Sequence, residues 1–171
     1  MIKLLTGKEP ANEMFKMLKR RVIVLKCEHN VVPHLAVVRI GNDPASERYV
    51  SNKQKDADSI GIQCDVHHFS DMTPYDLSPC GLIKVEDTVK SLNDDPNIHG
   101  IIVQLPFEDH VIEQLVIAQI DPCKDVDGLT AGSIGARTLD PNKGFWPCTP
   151  EGIMELLAYY RIPLAGSNVA V

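Results

Sequence analysis

Tyr49 and Lys53 stand four residues apart in the polar stretch SERYVSNKQK, residues 46–55. At this spacing two side chains lie on the same face of a helix. A lysine in a partly dry site loses its charge more readily and can then exchange protons near neutral pH. A tyrosine one turn away can hydrogen-bond the same reacting centre or stack on a flat ligand. The pair therefore indicates a proton-transfer site; the alternative is an exposed lysine beside a tyrosine that packs.

Gln104, Asp127 and Cys148 are the other residues whose setting could support chemistry. Gln104 lies near the end of the apolar run IHGIIVQL (98–105), and its amide can accept from a lysine ammonium while donating to a substrate. Asp127 in KDVDG (124–128) can accept paired N–H donors from a planar heterocycle. The structural alternatives are an amide satisfied by the backbone and an Asx turn. Cys148 mainly indicates a helix start, because no base is evident beside it.

The composition is typical of a soluble globular protein of one domain, or of one domain plus a fragment. The chain has 171 residues, 44% hydrophobic and 23% charged, with a formal net charge of −6 and no long basic run, which disfavours a nucleic-acid surface. No window approaches the roughly 18 apolar residues of a membrane span. The five cysteines are widely spaced and predict free thiols in a reducing cytosol. His67 and His68 are adjacent in a predicted strand and point to opposite faces, so we expect no metal site.

Hydrophobic periodicity predicts strands that alternate with helices along the chain. Apolar runs predict strands at 34–40, 62–69, 98–105 and 168–171. Amphipathic patterns and turn residues predict helices at 10–28, 44–60, 82–95, 109–120 and 150–160, the last with Thr149 as its N-cap. Residues 121–149, rich in Gly, Asp and Pro, are expected to be irregular.

This alternation predicts an α/β fold, an open parallel sheet with helices on both faces. Sites in such sheets form at the carboxyl ends of strands. Three loops, 41–48, 65–75 and 104–109, follow predicted strands, and the first and last of them adjoin the residues of chemical interest.

Four segments, in this order, resemble the bifunctional methylenetetrahydrofolate dehydrogenase/methenyltetrahydrofolate cyclohydrolase family. They are GNDPASERYVSNKQKDADSIGI (41–62), IHGIIVQLP (98–106), KDVDGLTAGSIG (124–135) and PCTPEGIMELL (147–157). The resemblance implies that Lys53 is the acid/base residue of the cyclohydrolase step and that Tyr49 positions the substrate and stacks on it. It further implies that Gln104 holds and tunes Lys53 and that Asp127 binds the pterin ring. The substrate-binding residues that it implies are Tyr49, Val50, Ser51, Asn52, Lys53, Val103, Gln104, Leu105 and Asp127.

The resemblance also implies a place in metabolism. An intact member would be a cytoplasmic homodimer of folate one-carbon metabolism that supplies purine biosynthesis. It would oxidise 5,10-methylenetetrahydrofolate with NADP and hydrolyse the methenyl product to 10-formyltetrahydrofolate. For this chain, a homodimer and a monomer both stay open.

The resemblance divides the chain into two parts. Residues 1–147 are expected to form the folate-binding catalytic domain, and 148–171 the linker helix and first strand of a Rossmann-type NAD(P)-binding domain. After a strand like NVAV (168–171) the family has a Gly-Arg-Ser phosphate-binding turn, and later a Pro-Gly-Gly-Val-Gly-Pro segment; neither is found in this sequence. We therefore expect the dehydrogenase step to be lost. Phe107 and Glu108 replace the family's Leu-Pro, which predicts a changed wall of the folate pocket.

Two other functions compete with this interpretation. Short-chain dehydrogenases also carry Tyr-x-x-x-Lys on a helix, but they need a glycine-rich nucleotide loop well before the pair, and the 48 residues before Tyr49 contain none. The other is a catalytically silent module that binds folate or a protein partner. Hydrolysis of methenyltetrahydrofolate would separate it from the enzyme.

Overall fold

The structure, a computed structural model, describes residues 4–70, 79–107 and 110–170. These residues form three strands, β1 (His34–Ile40), β2 (Gln63–Phe69) and β3 (Gly100–Gln104). They also form the helices α1 (Lys8–His29), α2 (Pro44–Ile60), α3 (Pro79–Asp94), α4 (His110–Ala118), α5 (Ala131–Leu139) and α6 (Cys148–Tyr159). None of the helices in the described ranges is both long and apolar enough to cross a membrane.

The three strands form one parallel sheet in the order β2-β1-β3. The chain moves from β1 to β2 through α2 and then returns past β1 to β3 through α3. The two crossovers therefore run in opposite directions, and right-handed connections place α2 and α3 on opposite faces. The strand order reverses between β1 and β3, and ligands of open α/β sheets bind at the carboxyl ends of strands beside such a reversal.

Two hydrophobic clusters confirm that both faces of the sheet are covered. On one face, Ala36 and Val38 of β1 pack with buried residues of β3, α3 and α4. On the other face, Val37 packs with Val50 of α2 and with Ile102 of β3. Adjacent strand residues point to opposite faces, so the continuous apolar run of β1 serves both clusters. The predicted α/β fold with an open parallel sheet is correct.

Helix α2 is fixed at both ends by residues near in sequence. Asp43 is its N-cap, and the Asp43 carboxylate accepts a hydrogen bond from the Ser46 N–H over 2.6 Å. Pro44 occupies the first turn, where its missing N–H costs nothing. Gly61 ends the helix at φ +87°, a left-handed conformation that favours glycine. These local signals are why the predicted bounds of the helix agree with the structure.

The stretch 121–149 departs from its prediction, because it contains the helix α5. The sequence obscures this helix, since Gly132 and Gly135 lower helix propensity. Its N-cap, Thr130, accepts a hydrogen bond from the Ser133 N–H over 3.0 Å. A Cβ on Gly132 would lie 2.5 Å from Cγ of Pro122, so glycine allows the helix to pack closely there. Capping and tertiary packing thus outweigh propensity.

Two further predictions were wrong. Thr149 is not an N-cap, because α6 begins at Cys148 after Pro147 and has no side-chain cap. Residues 168–170 form no strand. A strand needs a partner for its backbone groups, and no described strand pairs with them.

Some predictions extend beyond the described residues. Residues 71–75 of the loop 65–75 and residues 108–109 of the loop 104–109 lie outside them, as does Val171. The remaining predicted strands and helices agree with the structure to within three residues at each end.

Candidate active site

Lys53 and Gln104 meet at the carboxyl edge of the sheet. The Lys53 Nζ donates a hydrogen bond to Oε1 of Gln104 over 3.0 Å. Lys53 is half-buried in the third turn of α2, and Gln104 is the last residue of β3. Helix α2 packs on the face of the sheet to which Ile102 of β3 points, since Val50 of α2 and Ile102 belong to one hydrophobic cluster. The contact brings two residues selected from the sequence to one edge of the sheet.

The NH₂ group of the Gln104 amide is held by the backbone. Its Nε2 donates a hydrogen bond to the Leu105 carbonyl over 2.7 Å. This bond directs the amide oxygen toward the ammonium, which can only donate. Gln104 therefore orients Lys53 without adding a negative charge to the site.

Asp127 is presented by a tight turn that packs against the start of α6. The Gly128 N–H donates to the Asp125 carbonyl over 3.1 Å, which closes the turn. Gly128 has φ +68°, and a Cβ there would lie 2.7 Å from the carbonyl carbon of Trp146. The Cys148 N–H donates to the Asp127 carbonyl over 3.4 Å. Backbone contacts therefore set where the Asp127 carboxylate stands.

Asp125, a residue without a predicted role, anchors this turn. It is fully buried, and its carboxylate accepts from Leu129 N over 3.2 Å and from Thr130 N over 2.8 Å. Burial opposes ionisation, but hydrogen bonds from Ser133, Thr130 and Leu129 outweigh it and lower the pKa of Asp125. A buried carboxylate so well satisfied is a structural residue, and the KDVDG pattern alone did not show which of its two aspartates is buried.

Two neighbouring cavities share Lys53, Asp127 and Cys148. The first, called here the edge cavity, has a volume of about 310 Å³ and is also lined by Val103, Gln104 and Leu105. The second, called here the sheet cavity, has a volume of about 490 Å³ and extends along β1 and β3 to His34 and His99. Of the residues that the sequence selected, three polar ones therefore line one cavity: Lys53, Gln104 and Asp127.

Cys148 belongs to the site, but its thiol is a poor nucleophile. Burial of the thiol and the nearby Asp127 carboxylate raise the pKa of Cys148 to about 11. The thiol donates a hydrogen bond to the Val126 carbonyl over 3.4 Å. The thiol is therefore protonated at neutral pH. The position of Cys148 beside Lys53 could not be predicted from the sequence, because nothing in PCTPEG shows that the start of α6 packs against the turn at Asp127.

Comparison with known proteins identifies the family. Residues 5–127 match the model of the tetrahydrofolate dehydrogenase/cyclohydrolase catalytic domain. The chain belongs to this family. It is 42% identical to the bifunctional protein FolD of Chlamydia abortus over 98% of this chain and 55% of that protein. The FolD structure from Campylobacter jejuni superposes with a TM-score of 0.84 at 35% identity, over 95% of this chain and 55% of that chain.

The chain thus spans about half the length of the relatives it matches. A second solved structure, the Trypanosoma brucei methylenetetrahydrofolate dehydrogenase-cyclohydrolase, has a TM-score of 0.82 at 26% identity, over 94% of this chain and 52% of that one. That enzyme was crystallised with NADP and an inhibitor.

The described residues do not form a binding site for a dinucleotide such as NADP. A dinucleotide pyrophosphate is held by a glycine-rich turn between a strand and a helix N-terminus. None of the three described strands is followed by such a turn, and residues 168–170 form no strand. This part of the chain therefore offers an amine and a carboxylate at one cavity, but no turn that could hold the pyrophosphate of NADP.

The other folate-binding residues that the resemblance implies are spread over different environments. Tyr49 is 63% exposed and lies outside the lining of both cavities. Val50 is buried against Val37 and Ile102, so only its backbone could meet a ligand. Ser51 is half-buried and Asn52 is exposed.

Phe107, which replaces a residue of the family's pattern, packs against the hydrophobic core. Phe107 packs against the cluster formed with α3 and α4, and its N–H donates to Oε2 of the buried Glu113 over 3.2 Å. Its ring therefore packs between the loop after β3 and the hydrophobic core, and it does not line either cavity. Glu108 lies outside the described residues.

Proposed function

We propose that this chain hydrolyses 5,10-methenyltetrahydrofolate to 10-formyltetrahydrofolate, with Lys53 as the acid/base residue. The observation that carries this proposal is the 3.0 Å contact between Lys53 Nζ and Gln104 Oε1 at a cavity that Asp127 also lines. A lysine is an effective general base only when it is held in place and can lose its charge. Gln104 holds the amine through a neutral carbonyl oxygen.

The reaction needs one water and a proton carrier. Water adds to the iminium carbon of the methenyl bridge, and its first proton passes to the neutral amine of Lys53. The Lys53 ammonium then returns this proton to the ring nitrogen whose bond to that carbon breaks. The new hydroxyl loses its proton to bulk water as the formyl carbonyl forms. Atoms and charge balance, since a cation and water give a neutral product and one released proton.

Asp127 and Tyr49 bind the substrate. The Asp127 carboxylate, standing in the same cavity, accepts the paired N–H groups of the pterin ring, a strong charge-assisted contact. Tyr49 lies one helical turn before Lys53 and is exposed, so its ring is free to stack on the flat substrate at the mouth of the cavity. Residues 50–52 and 103–105 complete the proposed folate site.

We assign oxidation of 5,10-methylenetetrahydrofolate to intact members of the family, where NADP accepts the hydride. In our proposal residues 1–147 are the folate-binding catalytic domain and 148–171 lead into an NADP-binding domain. We expect the product, 10-formyltetrahydrofolate, to donate formyl groups in purine biosynthesis, and the enzyme to be cytoplasmic. Its partners are tetrahydrofolate derivatives, and we expect it to bind no nucleic acid. Its oligomeric state is either the homodimer of the family or a monomer.

The proposal is tested by the absorbance decay of methenyltetrahydrofolate. The wild-type chain should accelerate the decay, Lys53→Met should not, and Lys55→Met, which changes an exposed lysine of the same helix, should match the wild type. A wild-type chain that binds the folate but leaves its decay rate unchanged would instead be a silent folate-binding module. Equal activity in Lys53→Met and the wild type would refute the role of Lys53.

A further inference from the structure

A buried arginine lies beside the Lys53–Gln104 pair. Arg39 is the next-to-last residue of β1. In the sheet it is paired with Gln104 of β3 and with His68 of β2. Register partners in a parallel sheet point to the same face. The Arg39 side chain therefore projects toward α2, on the face where Lys53 meets Gln104.

Its guanidinium connects the sheet to the first turn of α2. Nη2 of Arg39 donates to the carbonyl of Asp43, the N-cap residue, over 3.3 Å. The same nitrogen lies 3.7 Å from Oε2 of Glu47, one turn into the helix. Arg39 thus ties the start of the helix that carries Tyr49 and Lys53 to the strand next to Gln104.

Fold stability does not account for a charge at this position. The Arg39 side chain is only 7% exposed, while its partner Glu47 is 70% exposed, so the ion pair is largely screened on one side. Nε of Arg39 is buried and has no hydrogen-bond partner among the described residues. Val37, two residues earlier on the same face, packs in the apolar cluster with Val50 and Ile102, and an apolar residue at position 39 would extend that cluster. A buried donor without a partner destabilises a fold, so its presence calls for another explanation.

We propose that Arg39 is a positioning residue, which holds the first turns of α2 so that Lys53 stays aligned with Gln104. This inference rests on the proposed hydrolytic function. The contact between Lys53 and Gln104 joins two elements, and its length depends on where α2 lies over β3. Displacement of a catalytic group by about 1 Å can cost up to roughly 100-fold in rate. Arg39 provides a polar link between α2 and β1 at the end of the helix nearest the site.

The test compares Arg39→Met, Arg39→Lys and the control Arg48→Met, which removes an exposed arginine of α2. In Arg39→Met, we expect an unchanged or higher melting temperature, a kcat for methenyltetrahydrofolate hydrolysis at least roughly tenfold lower, and faster hydrogen exchange at the amides of residues 46–53. Arg39→Lys keeps a cation within reach of the Asp43 carbonyl and should recover part of the kcat. Arg48→Met should match the wild type in all three measurements.

Each other outcome overturns the proposal. A wild-type kcat in Arg39→Met would show that the arginine is dispensable, and unchanged exchange at 46–53 would show that it does not position the helix. A variant that fails to fold, or whose kcat falls only in proportion to its folded fraction, would mean that Arg39 serves stability alone. If the wild-type chain does not hydrolyse methenyltetrahydrofolate, the proposed function fails by itself, and the exchange and melting measurements still decide the role of Arg39.

Discussion

Nζ of Lys53 and Oε1 of Gln104 are 3.0 Å apart, although the two residues are separated by 51 positions in the sequence. The contact joins the third turn of α2 to the last residue of β3, beside the point where the strand order of the sheet reverses. Asp127 lines the same cavity from a turn that packs against α6. An amine, an amide and a carboxylate therefore share one cavity.

Lys53→Met should abolish hydrolysis without unfolding the protein. General acid–base groups contribute roughly 10²–10⁴-fold in rate, so a loss of this size is expected. Lys53 lies at a cavity surface, and the free energy of unfolding should change by no more than about 0.5 kcal/mol. Absorbance assays and urea unfolding measure the two quantities. An unfolded Lys53→Met would mean that the lysine is a structural residue.

Gln104→Glu places a carboxylate beside Lys53 and removes the hydrogen bond to the Leu105 carbonyl, and it should impair catalysis. A carboxylate at this position favours the charged ammonium, which cannot accept a proton from water. We expect hydrolysis at neutral pH to fall by roughly tenfold or more. Gln119→Glu, an exposed position beyond α4, is the matched control. Undiminished hydrolysis in Gln104→Glu would rule out the tuning role of the neutral amide.

The 171-residue chain should not reduce NADP with methylenetetrahydrofolate at a rate typical of its family. Hydride transfer requires a nicotinamide fixed against the substrate, and the described residues provide no glycine-rich turn for it. The absorbance of NADPH measures this directly. Saturable NADP binding accompanied by turnover would contradict the prediction.

Gly128→Ala should destabilise the turn that carries Asp127. The new Cβ would meet the Trp146 carbonyl carbon at 2.7 Å, and alanine at φ +68° is strained. Together these effects should cost at least about 1–3 kcal/mol in unfolding free energy and weaken folate binding. Gly152→Ala is the control, because a Cβ there meets nothing within 4 Å and the residue lies inside α6. That change should stabilise the protein by about 0.5–1 kcal/mol.

Asp125→Asn should reveal a pH-dependent contribution to stability. The folded-state pKa of Asp125 lies below its usual value because buried N–H and hydroxyl groups donate to the carboxylate. Its stabilisation, about 1.5–3 kcal/mol, is therefore fully present above the unfolded pKa of about 3.9 and is lost as the pH falls through the lower folded value. Urea unfolding at pH 7 and at pH 3 measures this difference. Asp94→Asn, at an exposed position, should show no comparable change, and a pH-independent loss in Asp125→Asn would contradict the assignment.

The main elements and two of the site residues could be predicted from the sequence because their signals are local. The cap at Asp43, Pro44 and the left-handed Gly61 define α2 within a few residues of chain. The β-branched run of β1 predicts a strand buried on both faces. Because β1 and β3 are parallel neighbours, the start of α2 and Gln104 lie at the same edge of the sheet, which favours an approach of Lys53 to Gln104.

The tertiary structure alone decided the rest. Helix α5 depends on the Thr130 cap and on close packing of Gly132 against Pro122, and both outweigh the low helix propensity of its glycines. Cys148 reaches the site because α6 packs against the turn at Gly128, some 20 residues earlier. Val50 faces the core and Tyr49 the solvent, although both lie on the same helix. Contacts between residues distant in sequence determine which side chains share a cavity, and local periodicity carries no information about such contacts.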